Sequence, residues 1–157
     1  MMHEAELMRE SEGANQLFGS LTCMTEGEWE DLVQALRQDD ASIAASAAER
    51  IHKRASTEDL PRLLLLLNND DIFWREAAAW PISELAGPSS LHDLLTAYQR
   101  GFDEGYDNDG FTTALVELAT RDPIGCRNVL LRLLAESPTT TLRENAAWLL
   151  DFCKPAI

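Results

Sequence analysis

One block of this sequence occurs twice. Arg75-Glu76-Ala77-Ala78-Ala79-Trp80 returns as Arg143-Glu144-Asn145-Ala146-Ala147-Trp148. Each copy follows a leucine-rich stretch, Leu63 to Leu67 or Leu130 to Leu134, and then a short polar turn. The two copies start 68 residues apart, two repeats of about 34 residues each. A period of that length, with apolar positions at helical spacing, predicts stacked helical hairpins. A single hairpin cannot bury its own apolar face, so each needs a neighbour. The fold class expected is therefore all-α, a short right-handed α-solenoid of about four hairpins.

The hairpins are legible one by one. Thr25 and Glu28 form a capping box ahead of Trp29, Leu32, Val33 and Leu36. Gln38 to Ala41 make the first turn, and a second helix over about 42–55 carries Ile43, Ala44, Ala47, Ala48 and Ile51. The second hairpin has Thr57 as a cap and Pro61 in the first turn, where a missing N–H costs nothing. Leu63 to Leu67 read as buried almost all round, and a helix over 71–86 ends at the stop signal Gly87-Pro88. Pro81 inside it removes one backbone bond and predicts a kink. The third hairpin opens at Ser89 or Ser90, with Leu91, Leu94, Leu95 and Tyr98 as its stripe. Its second helix, about 111–120, is reached through a long link, Gly101 to Gly110, where the regular pattern breaks. The fourth hairpin runs from Pro123 to Cys153. Residues 1–24, with Leu7, Met8, Leu17, Phe18 and Leu21, read either as a capping helix or as a frayed segment. Residues 25–153 form the repeat domain, and 154–157 are a tail.

These features resemble the HEAT-like repeat family, in particular the short bacterial type related to the phycobilin-lyase repeats. The second hairpin carries the resemblance best, with Pro61 early in its first helix, Asn69 to Asp71 in the turn and Arg75 opening the second helix. The fourth keeps Arg143 and the alanine-Trp run but lacks the proline. The first lacks both. The resemblance implies a helix-start proline, an acidic or amide turn group, and a basic residue that bonds across the turn. It also implies a binding scaffold rather than any one activity.

Charge narrows the partners. The chain has 157 residues with 13 Lys+Arg against 27 Asp+Glu, a net charge of −14. Phosphate backbones and anionic membrane surfaces are disfavoured, whereas a basic protein is steered inward. The charge equally serves plain solubility. Cys23, Cys126 and Cys153 are odd in number and widely spaced, which fits a reducing cytoplasm better than a disulfide framework. Residues 1–23 lack a basic segment followed by an apolar run, so no signal peptide is expected. The longest apolar run, Leu63 to Leu67, is too short to span a bilayer.

No nucleophile elbow, phosphate-cradling glycine loop, His-Glu-x-x-His or Cys-x-x-Cys appears, so no catalytic residue, cofactor site or metal site is assigned. His3, His52 and His92 read as surface residues, and Cys126 and Cys153 as core. The link between Gly101 and Gly110 is the candidate site, with Asp103, Glu104, Asp107 and Asp109 alongside Phe102 and Tyr106. A calcium loop is one reading of these clustered oxygens, but the spacing argues against it, because that register leaves Gly105 at the first ligand position and Val116 at the bidentate one. A solvated linker capped by Asp109 and a partner-contact loop both remain. Trp74, without an aromatic counterpart at Leu142, is expected half exposed at the hairpin edge and joins the contact set. Trp80 and Trp148, equivalent by the repeat, read as packing. The expected role is a non-catalytic protein-binding module, in its most concrete form an immunity-type protein masking a basic toxin domain. The alternatives are a bilin-lyase-like enzyme or its subunit, by family resemblance alone, and a general scaffold.

Overall fold

The computed structural model describes residues 24–154. The segment from Leu7 to Leu21 and residues 155–157 lie outside the described residues. Those described are all-helical, without a strand. The helices are α1 (Glu26–Leu36), α2 (Ala41–Arg54), α3 (Leu60–Leu67), α4 (Ile72–Ala86), α5 (Leu91–Asp103), α6 (Asp109–Arg121), α7 (Pro123–Glu136) and α8 (Thr140–Leu150). The chain divides into two compact units, Met1–Asp59 and Leu60–Ile157.

In the first unit α1 packs on α2. Trp29, Leu32 and Leu36 are buried on one helix, and Ala44, Ala47 and Ile51 on the other. Thr25 Oγ1 accepts from the Glu28 N–H at 3.1 Å, so the hydroxyl half of the capping box forms. The Glu28 carboxylate instead accepts from Arg54 Nη2 at 3.0 Å, tying α1 to the end of α2. Asp40 caps α2 by accepting from the N–H groups of Ser42 and Ile43, and these bonds hold its carboxyl below the usual range. Thr57 caps no helix. It opens a 3-10 turn in which buried Asp59 accepts from the Ser56 N–H at 2.8 Å.

In the second unit α4 is the central element, packed on α3, α5 and α6. Ala77, Ala78, Ala79 and Ile82 are buried along it, and the alanines let neighbouring backbones come close. Its short neighbour α3 buries Leu63, Leu66 and Leu67 but leaves Leu65 74% exposed. The leucine run is therefore one-sided rather than buried all round, because within the second unit α3 packs one face on α4. Helix α4 continues through Pro81 and stops at Gly87, whose φ of 61° and ψ of −144° only glycine adopts readily. The Ser83 carbonyl near that end accepts from Arg121 Nη2 of α6 at 3.0 Å. Ser90 precedes α5 without capping it; its hydroxyl donates to the Gly87 carbonyl. Helices α7 and α8 form a further hairpin, with Asp122 capping α7 through the Gly125 N–H at 2.9 Å.

The main departure from expectation is the α5–α6 link. Helix α5 runs through Gly101 to Asp103, which shortens the link to residues 104–108. Two i,i+4 pairs support the extension, Gln99 Nε2 donating to Asp103 Oδ1 at 2.9 Å and Arg100 Nε to Glu104 Oε1 at 2.7 Å. Helix α6 begins at Asp109, so that residue is not its cap. Asn108 occupies the cap position in the left-handed region, with φ at 59°. Its buried amide donates from Nδ2 to the Tyr98 carbonyl at 2.7 Å and lies directly on Gly101. A Cβ at Gly101 would meet Asn108 Oδ1 at 1.9 Å. A glycine in mid-helix, which the pattern reads as a break, is thus the seat for the amide that ends the link.

Gly101→Ala should displace Asn108 and remove its bond to Tyr98. A loss of roughly 2 kcal/mol of unfolding free energy is expected in urea titration. Gly27→Ala, at a glycine with open space around it, is the control. Equal stability of the two variants would refute this account of the link.

Candidate interaction surface

Arg75 is fully buried one turn into α4. Its Nη1 donates to the Asn69 and Asp70 carbonyls, each at 3.0 Å, across the turn from α3. Its Nη2 donates to Glu104 Oε2. Arg143 repeats the first part of this arrangement, donating to the Ser137 carbonyl at 2.9 Å and to Thr140 Oγ1 at 3.3 Å. Both repeat arginines therefore bond across their turns. Arg100 extends the network, donating to Glu104 and, at 2.7 Å, to Asp70 Oδ1. The Arg75 and Arg100 guanidiniums together hold the Glu104 carboxyl below the usual carboxylate range.

The candidate acids of the link thus differ in role. Glu104, though exposed, is paired to Arg75 and Arg100. Asp103 is exposed and accepts from Gln99, whose Oε1 accepts from Asn145 Nδ2 of α8 at 2.7 Å. Asp107 and Asp109 are exposed and face Glu76 on α4. The Glu76 carboxylate accepts from the Gly110 N–H. Even so, partial burial and the charges of Asp107 and Asp109 push its pKa above the ordinary value. Among the described residues no group of three His, Cys, Asp or Glu side chains is placed to hold a metal ion.

The aromatics separate as well. Tyr106 is 48% exposed and Phe102 44%. Trp74 is buried, not half exposed at an edge, because the start of α4 is enclosed in the core; it offers no contact surface. The spacing conceals a different set. Phe102 meets Tyr98 edge-on at 4.8 Å, Tyr98 stacks on Trp148 at 5.5 Å and 11°, and Trp148 meets Phe152 edge-on at 5.5 Å. This ladder crosses from α5 to the end of α8 and finishes on Phe152, 40% exposed. Two i,i+4 aromatic pairs, Tyr98/Phe102 and Trp148/Phe152, are its sequence signal, but only tertiary packing joins them.

The remaining candidates are chemically quiet. Cys126 is buried and its thiol pKa is pushed up to about 12, mainly by desolvation. Burial raises Cys153 too. Thiolate, the reactive form, is therefore scarce at neutral pH. His92 is exposed, with Nδ1 3.8 Å from Asp93. An open groove of about 460 Å³ lies between α1 and α2, lined in part by Asp31, Ile43 and Arg50. No helix is long and apolar enough to cross a membrane among the described residues. Compared with known proteins, the chain matches no family model, no curated protein and no solved structure.

The two shifted glutamates act oppositely with pH. Glu104, with a lowered pKa, stabilises the fold above the unfolded carboxyl value, and that stability is lost as pH falls through its folded value. Glu76, with a raised pKa, opposes folding when ionised, and the penalty disappears as pH falls through its raised value. Glu76→Gln should gain roughly 0.5 kcal/mol at pH 7, a figure limited by solvent screening, with the gain vanishing under acid. Glu104→Gln should lower the melting temperature at pH 7 and flatten its acid dependence. Melting curves from pH 3 to 8 test both signs, and a destabilised Glu76→Gln would overturn the assignment.

Proposed function

We propose that this chain is a non-catalytic protein-binding module for a basic partner, with an immunity-type inhibitor of a basic toxin domain as its most concrete form. The observation that carries the reading is the combination of a net charge of −14 with exposed, unpaired carboxylates beside exposed aromatic rings at the α5–α6 link. Asp107 and Asp109 make no ion pair among the described residues, so their field is directed at solvent. Such a field accelerates encounter with a cationic protein, and the rings add contact area on docking. A HEAT-like stacking of the hairpins suits this role, because such scaffolds present broad faces rather than closed pockets. It is supported by the matched turn bonds of Arg75 and Arg143.

Affinity purification of the tagged chain from its native host, at low and moderate salt, tests the proposal. One basic protein in near-equal amount, released as salt rises, is expected. Asp103→Asn/Asp107→Asn/Asp109→Asn should then lower affinity for that purified partner by about tenfold or more at low salt, while Glu104 is left intact to preserve its contact with Arg75. Recovery of a coloured or small-molecule passenger in place of a protein would overturn the reading.

A further inference from the structure

We propose that the aromatic ladder at the ends of α5 and α8 is a docking surface for an arginine-bearing segment of a protein partner. The inference rests on the basic-partner reading and deepens it by naming a surface and a side-chain chemistry. Phe102, Tyr98, Trp148 and Phe152 form a continuous series of ring contacts with steps of 4.8 to 5.5 Å. Tyr98 is buried and anchors the series, while the two phenylalanines expose its ends to solvent. Ring faces attract cations, and a planar guanidinium also stacks on them, which an ammonium does not.

The electrostatic surroundings have the matching sign. Phe102 lies in the last turn of α5, and Phe152 follows directly after α8. Helix C-termini carry partial negative charge. The last turn of α8 contains no basic residue, and Arg100, the basic residue in that of α5, is occupied by Asp70 and Glu104. Exposed Asp103 and Asp151 adjoin the two phenylalanines in sequence. Glu144, one turn before Trp148, is exposed as well. Exposed Lys154 and exposed Arg127, the latter close enough for its charge to act on Cys153, are opposing cations near Phe152. Beside the rings, the chain Asp103–Gln99–Asn145 ties α5 to α8, so the surface is preformed by hydrogen bonds of 2.9 and 2.7 Å. An aromatic platform rimmed by carboxylates and two helix C-termini is complementary to arginine.

The test uses the full chain and two labelled peptides of equal length and charge, one with arginine and one with lysine as its cation. Anisotropy titrations at low salt should give a preference of about three- to tenfold for arginine, with a change in tryptophan emission. Phe102→Leu/Phe152→Leu, which removes both rings but keeps apolar bulk at the two ends, should abolish the preference in a chain that still unfolds cooperatively. Asp103→Asn/Asp151→Asn should weaken arginine-peptide binding more than Glu30→Gln/Asp31→Asn, which removes the same charge from α1. Equal binding of both peptides, or a preference that survives loss of the phenylalanines, overturns this surface while leaving a basic partner intact. Failure of both peptides to bind overturns the basic-partner reading, and this inference with it. Concentration-dependent self-association abolished by Phe102→Ala/Phe152→Ala in light scattering would assign the face to a second copy and overturn the proposal.

Discussion

A guanidinium fully removed from water organises the second unit. Burying an uncompensated charge is prohibitive, so Arg75 is tolerable only because its surroundings supply acceptors. It takes two carbonyls from the α3–α4 turn and one carboxylate from the end of α5. Those demands fix three pieces of chain at once. The turn must present its carbonyls inward, α5 must run far enough to deliver Glu104, and α4 must begin close to both. Arg143 makes the turn contacts without a carboxylate and is less buried, so the fourth hairpin carries the local half of the device.

The same interaction divides the acids of the link into held and unheld ones. Glu104 is held by two arginines and serves the fold. Asp107 and Asp109 have no such cations, and they crowd Glu76 at the start of α6. The strain of like charges there is partly offset by the Gly110 N–H that Glu76 accepts. A site for a cationic partner often keeps this kind of imbalance, since an arriving positive charge relieves it. The acids that serve the fold and those left without a cation are thus adjacent in sequence but are different side chains.

Much of the local structure was legible. Helix starts at Thr25 and Asp71, the stop at Gly87 and the cross-turn bonds of the repeat arginines follow from short-range chemistry that the pattern displays. The errors share a cause. Gly101 reads as a break because glycine is a poor helix former, yet it is kept in α5 by the Asn108 amide that rests on it. Trp74 reads as half exposed because its repeat counterpart is a leucine, yet it is buried at the start of α4. Leu65 reads as buried because leucine surrounds it, yet it lies on the exposed side of α3.

By itself, then, the sequence determined the helical class, the helix starts at Thr25 and Asp71 and the excess negative charge. Each is set by contacts within a few residues or by composition alone. Tertiary structure decided which acids are free and which are held, which rings are buried, and that Tyr98 stacks on Trp148. Those outcomes depend on residues separated by tens of positions, brought together by the packing of α5 against α8. No local periodicity encodes that packing, because a helix presents the same face to solvent or to a distant neighbour until the chain has closed upon it.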